Sequence, residues 1–393
     1  MIPKLLEKKN KTILLNFGPQ HPAAHGILKI SLALSGEVIL RADSQFGLLH
    51  RGSEKLCESR ALTQIIPYVD RMDYVANLFQ EHTIVLSMER SSKLLNKYPT
   101  KIVLDFRIIF DEFSRILNHL LTMSAVCLDL GAMGPIFWAF EEREQIMELY
   151  ERLSGARMHT ALYKPFFINS DLYFNFLLKD ILFILQRGSR FISGAFLGLL
   201  NNKALKSRLS NVGSFSSKKL KTYGVTGILA RASGLTIDLR LGFGGDNYSS
   251  YNCLNFRSFF GKKGDCYDRF LVRSKEILES FRIISQLLNN INNKKTNKRS
   301  KFISMETTIN HFKNTISFNS TFSGISWSVV EGPKGAVGSV LVCNGSLSLS
   351  RLHIKSPVSH NLHLINTASR FSTFGDFVAT FCSLDVVLGE IDR

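Results

Sequence analysis

Asn16-Phe-Gly-Pro-Gln-His-Pro-Ala-Ala-His-Gly26 sets two histidines among two prolines and two glycines, and its flanks decide how the chain begins to fold. Pro19 and Pro22 fix φ and remove two backbone donors, while Gly18 and Gly26 permit turns or close approach by another group. The stretch reads as a stiff loop. Residues 12–17 precede it, and after it Leu28, Ile30, Leu32 and Leu34 alternate with Lys29, Ser31 and Ala33, the period of a half-buried strand. This pattern predicts a hairpin with His21 and His25 at its tip. The two histidines serve either a site or the loop's own hydrogen bonds.

With 393 residues, the chain exceeds the size at which single cores stop growing, so interlocked layers or subdomains are expected. A hydrophobic content of 45% with 21% charged residues describes a folded protein, and 30 phenylalanines against two tryptophans imply a phenylalanine-rich interior. The longest weakly charged run, 120–140, has the length of a membrane span, but Asp129 interrupts it and Gly131, Gly134 and Pro135 follow. A buried helix and loop are expected there. Residues 1–11 carry Lys4, Glu7, Lys8 and Lys9 and resemble neither a secretory signal nor an Arg-rich import leader. The expectation is a soluble, uncleaved chain, made inside any organelle it serves.

Cys57, Cys127, Cys253, Cys266, Cys343 and Cys382 include no C-x-x-C pair, so neither a cysteine-held metal nor a disulfide framework is expected. His21 and His25 are four apart, but Pro22 stands where a zinc-protease helix needs glutamate. A net charge of +17 is concentrated in residues 203–221 and 294–301, which read as exposed or partner-facing edges. No aromatic stacking motif accompanies them, so nucleic acid is not an expected partner.

Apolar spacing of three and four predicts helices over residues 53–62, 68–89, 102–128, 140–153, 180–200 and 265–288. Phe113, Ile116, Leu117, Leu120, Leu121, Ser124 and Leu128 make one face of a central bundle helix. On the next helix Glu148 and Arg152 are spaced to pair, and Gly155 suits its C-cap. The tail from Phe318 reads as mainly strands and turns. The expected class is α+β: an N-terminal β meander (1–50), a central helical bundle (51–288), a mobile Asn/Lys-rich loop (289–304) and a β-rich C-terminal part (305–393).

Several short strings carry chemistry. Arg71-Met-Asp-Tyr74 opens a predicted helix and sets a phenol beside a carboxylate, although such tyrosines also serve packing alone. Asp129 ends an apolar run, so it is either a buried acid with a raised pKa or a cap for the 131–135 loop. His50-Arg51-Gly52 and Gly155-Ala-Arg-Met-His159 set cations beside glycines, a way to bring positive charge close to an electron-rich group or simply to a salt bridge.

Together with Gly47-Leu-Leu-His-Arg-Gly-Ser-Glu-Lys55, residues 67–75, 115–119, 138–143, 150–159 and 264–269, Glu331-Gly-Pro-Lys-Gly335 and residues 384–393, these strings closely resemble the 49-kDa-type subunit of respiratory complex I. This family, also called NADH dehydrogenase subunit 7 and including the bacterial D-type counterpart, is similar to the large subunit of nickel–iron hydrogenases. The resemblance covers residues 12–393 and implies a hydrogenase-like fold whose metal pocket has become a ubiquinone cavity. It implies His25 and Tyr74 as ligands of the quinone head group, and Asp129, in Leu128-Asp-Leu-Gly131, as the support of His25. It further implies that Arg51 and His159 lie near the terminal [4Fe–4S] cluster of an adjacent subunit.

The implied activity is that of a proton-pumping NADH:ubiquinone oxidoreductase, exercised only inside the complex. The implied partners are the cluster-bearing subunit and the membrane-arm subunit at the quinone channel, on the matrix side of the mitochondrial inner membrane. The Asn, Lys and Phe excess suits an organellar gene. Two rivals remain: a hydrogenase-type oxidoreductase, disfavoured by the missing cysteine pairs, and a structural adaptor without quinone chemistry, disfavoured because His25, Tyr74 and Asp129 are all present. Lys164-Pro-Phe-Phe167 stands where the family carries Arg-Pro-Gly-Gly, so the loop after His159 is expected to run differently, and residues 165–220, 243–260 and 289–304 diverge.

Overall fold

Strand β1 (Ile13–Phe17) pairs antiparallel with β2 (Lys29–Ser35), and β2 with β3 (Val38–Gln45), giving the expected meander. The computed structural model describes residues 12–18, 27–92, 99–168, 174–242, 251–292, 304–306, 308–309, 323–346 and 348–393, so His21 and His25 lie outside the described residues. Leu28, Ile30 and Leu32 are buried, as their alternation requires. Phe17 stands edge-on to Phe374, Phe377 and Phe381, with ring centroids 6.2, 5.5 and 5.9 Å away. Those contacts dock the base of the hairpin on a C-terminal helix.

The helical region comprises α1 (Ser53–Glu58), a 3-10 turn, α2 (Ile66–Asp70), α3 (Asn77–Ser92), α4 (Lys101–Asp129) and α5 (Gly134–Ser154). A two-strand hairpin, β4 (Tyr163–Lys164) and β5 (Phe167–Ile168), follows. Next come α6 (Phe174–Phe191), a π turn, α7 (Leu197–Leu200), α8 (Lys203–Leu209), α9 (Ser217–Thr222), α10 (Ile228–Ala232) and α11 (Cys266–Asn292). Helix α4, about 43 Å long at 1.5 Å per residue, is the axis, packed by α3, α5 and α11. The weakly charged run 120–140 is the end of α4, a turn and the start of α5, and no helix among the described residues is long and apolar enough to cross a membrane. Gly155 caps α5 with φ +79°, and Glu148 meets Arg152 at 2.6 Å.

The helix predicted over residues 68–89 is in fact two, because residues 71–76 form a turn between α2 and α3. Apolar spacing runs on through Val69, Met72, Val75 and Phe79, which hides the break. The cause is local: the Asp73 carboxylate accepts the backbone N–H groups of Val75 at 3.2 Å and Ala76 at 3.3 Å, competing with helical bonding. Likewise α11 continues through Asn289–Asn292, where a mobile loop is expected; residues 293–303 of that loop lie outside the described residues.

The C-terminal part opens with the antiparallel sheet β6 (Ser323–Gly332), β7 (Gly335–Asn344) and β8 (Leu349–Lys355). After it the chain turns helical: α12 (Pro357–His363), α13 (Ile365–Ser369), α14 (Phe374–Ser383) and α15 (Leu388–Asp392). Composition alone suggests strands here, but Ser356 and Thr373 act as N-caps, accepting the N–H groups of Val358 at 3.2 Å and Asp376 at 3.3 Å. One continuous core joins the meander, the bundle and the C-terminal helices.

Immediately after Phe17 the backbone folds back so tightly that a Cβ on Gly18 (φ +94°) would lie 1.9 Å from the Leu28 carbonyl oxygen. Gly18→Ala is therefore expected to impair assembly of the parent complex, whereas Gly134→Ala, where a Cβ meets nothing within 4 Å, is expected to be neutral. Native gel electrophoresis of the two variants checks this, and equal assembly would contradict it.

Candidate functional site

Tyr74 sits in the turn that Asp73 creates, and three parts of the chain converge on it. Lys334, in the turn between β6 and β7, is buried with its Nζ 2.6 Å from Asp73 Oδ1. Burial alone would lower the ammonium's pKa, but Asp73, Asp385 and Glu390 outweigh it and hold Lys334 above the ordinary lysine value. The C-terminal tail supplies the third side: a Cβ built on Gly389 would lie 3.7 Å from the Tyr74 ring. Tyr74 is half-buried, and burial, then Asp73, then Asp385 push its phenol well above the usual tyrosine value. It is a neutral phenol with two carboxyl groups, Asp73 and Asp385, in its surroundings.

Asp129 ends α4 and is half-buried rather than fully buried. The next helix begins after Met133 at its N-cap. Its neighbour is Cys382 on α14, whose thiol is driven far up first by burial and then by the Asp129 carboxylate, to which it is hydrogen-bonded. Three residues on, Asp385 adopts φ +55°, held by a 2.6 Å bond from Asn118 Nδ2. The 382–389 segment thus touches Asp129 at one end and Tyr74 at the other.

His159 lies at the start of the same turn, while Arg51 stands on a separate loop. His159 Nδ1 lies 3.5 Å from the buried Asp70 carboxylate at the end of α2. Burial raises the Asp70 pKa, while its hydrogen bond with Glu81 and the nearby His159 oppose the rise. Glu81 is raised well above the usual range by burial and then by Asp70, so it holds the proton of this pair. Its carboxyl also accepts from Tyr163 N at 3.0 Å, tying the His159 loop to α3. The hairpin after that loop turns through Phe166 at φ +67°, whose N–H meets Glu89 at 2.7 Å.

Arg51 is exposed on a loop that the C-terminus holds: Asp392 accepts the N–H groups of Gly47 and Leu49 at 2.8 Å each, and its carbonyl meets His50 Nδ1 at 2.5 Å. Tyr74 and His159 thus stand at the α2–α3 turn, whereas Asp129 and the loop that carries Arg51 meet different parts of the C-terminal tail. The position of His25 lies outside the described residues, although the base of its hairpin docks on α14. Sequence reading missed Asp70, Glu81, Lys334 and Glu390 as members of this region. Asp70, Lys334 and Glu390 were within reach, since all three stand in strings singled out for their resemblance.

The model of the family described as respiratory-chain NADH dehydrogenase, 49 Kd subunit, matches residues 129–393. The chain belongs to that family. It is 43% identical to the NADH-ubiquinone oxidoreductase 49 kDa subunit of Paramecium tetraurelia, over 98% of this chain and 100% of the relative. With the same-named subunit of Reclinomonas americana it shares 42% identity over the full length of both. With an NADH-quinone oxidoreductase subunit of Ehrlichia ruminantium it shares 41%, over 96% of this chain and 97% of the relative. As a 49-kDa family member it is a core subunit of complex I, with the mixed α+β architecture expected of it.

Within this 49-kDa-type chain, Lys334→Met strands the Asp73 carboxylate in the interior. The loss expected is about 3–5 kcal/mol, and replacing both partners with Lys334→Met and Asp73→Asn should recover part of it. Thermal inactivation of the assembled complex carrying each variant measures both effects.

Proposed function

We propose that this chain forms the ubiquinone-reduction site of a proton-translocating NADH:ubiquinone oxidoreductase, beside the terminal [4Fe–4S] cluster of a neighbouring subunit. The observation that carries the reading is the half-buried setting of Tyr74, whose phenol is raised by burial and then by Asp73 and Asp385 and so keeps its O–H group. The relatives' names supply the substrate: they are NADH-ubiquinone and NADH-quinone oxidoreductase subunits.

Quinone reduction takes up two electrons and two protons. The Tyr74 hydroxyl donates to one quinone oxygen and His25 to the other, and each proton moves once the arriving electrons have made that oxygen basic. Asp129, at the end of α4, keeps the His25 imidazole oriented. Arg51 stabilises the reduced cluster by charge, and His159 binds a proton more tightly when the cluster carries an electron. The chain sits in the peripheral arm on the matrix side of the mitochondrial inner membrane, against the cluster-bearing subunit and the membrane-arm subunit at the quinone channel. An organellar gene fits its composition.

In assembled complex, Tyr74→Phe or His25→Ala should lower NADH:quinone turnover by about 100-fold while NADH still reduces the clusters. Unchanged turnover in both variants overturns the site. For His159→Met the readout is the terminal cluster's midpoint potential, which should fall less with rising pH because a group that loses its proton near the cluster has been removed. A redox titration with an undiminished slope removes His159 from this role.

A further inference from the structure

Glu390, on α15, is buried to 1% exposure beside the Tyr74 turn and belongs to none of the roles above. Its Oε1 accepts from Gln80 Nε2 at 3.1 Å, its Oε2 has no close hydrogen-bond partner among the described residues, and the nearby Ser356 hydroxyl favours its ionised form. The groups facing it are Asp73 from the α2–α3 turn, Lys334 from the β6–β7 turn, Gln80 from α3 and Ser356 before α12. The ammonium of Lys334 faces three carboxyl groups, Asp73, Asp385 and Glu390, and is bonded to Asp73. Asp385 has the Asn118 amide, and Asp392, on the same helix as Glu390, has two backbone N–H groups. Glu390 shares Lys334 with Asp73, which holds the ammonium's hydrogen bond.

We propose that Glu390 is the proton-holding residue that restocks Tyr74 during quinone reduction, acting across the Asp73–Lys334 pair. The inference rests on the reading of Tyr74 as a quinone ligand. Burial, followed by the Asp73 carboxylate, lifts the Glu390 carboxyl to about 8, so it carries its proton at neutral pH. When two electrons from NADH reach the quinone, the Tyr74 O–H bond breaks and an O–H bond forms on the quinone. The phenolate left between Asp73 and Asp385 is then neutralised by the Glu390 proton, and bulk water refills Glu390. The second proton of the quinol arrives by the His25 side. Gly389, which lies against the Tyr74 ring, places Glu390 one residue from that contact. Glu390 is thus a positioning residue for the proton and acts through Tyr74.

The test uses assembled complex, with NADH:quinone turnover and NADH reduction of the clusters followed across roughly pH 6 to 9. Wild-type turnover should fall as pH rises through about 8, where Glu390 ionises. Glu390→Gln should lose about tenfold in turnover, lose that alkaline fall, and leave cluster reduction intact. Glu390→Asp, which keeps a carboxyl, should retain both turnover and a pH-dependent fall. In a Tyr74→Phe background Glu390→Gln should have no further effect. Wild-type turnover and pH profile in Glu390→Gln, or additive loss in the double variant, overturns the inference while leaving Tyr74→Phe to report on the quinone site. A fully active Tyr74→Phe overturns the quinone reading and, with it, the inference.

Discussion

A buried lysine bonded to a buried aspartate organises the region around Tyr74. The 2.6 Å contact between Lys334 and Asp73 joins the β6–β7 turn to the α2–α3 turn, two segments far apart in sequence. Such a pair gains little net stability over a well-packed apolar replacement, but it fixes position, because neither charge tolerates loss of the other. Glycine makes the approach possible: Gly335, with φ +141°, is so crowded by Thr226 and Pro357 that a Cβ would lie 2.8 Å from Thr226 Oγ1. With the turn held there, Asp73 interrupts the helix, Tyr74 is half-buried, and Gly389 of the C-terminal tail comes close to the turn's backbone.

Behind this region the bundle is stiffened by ions as well as by apolar packing. Arg231 bonds Glu276 at 2.9 Å and Glu331 at 2.6 Å, and Arg115 donates to the Glu331 carbonyl at 2.7 Å. Glu331 begins the string that ends at Gly335, so the strands carrying Lys334 are clamped to α4 and α10. A rigid scaffold of this kind holds proton donors to the tolerance that catalysis requires.

Local patterns were legible where local chemistry decides the structure. The meander followed from the alternation of Leu28, Ile30 and Leu32, and the α5 terminus from Gly155. The Tyr74 turn was not legible, because apolar spacing passes through it and the interrupting contact is made by a side chain. The C-terminal helices were masked by a strand-like composition that two N-caps override. The acidic interior was hidden for another reason: nothing local marks Asp70, Glu81 and Glu390 as buried, and only the fold brings burial, a neighbouring acid or a distant lysine to each. Tyr74, Asp129, His159 and Arg51 became candidates through family resemblance, since no local pattern singles them out.

The central claim is that the Tyr74 hydroxyl, on the turn held by the Asp73–Lys334 pair, meets the quinone head group. Electron cryomicroscopy of the assembled complex with a bound short-chain quinone tests it most directly. One head-group oxygen within hydrogen-bond distance of Tyr74 Oη, with the other facing the 16–26 loop, is the expected result. A head group seated away from Tyr74, with the Asp73–Lys334 pair intact, would contradict it.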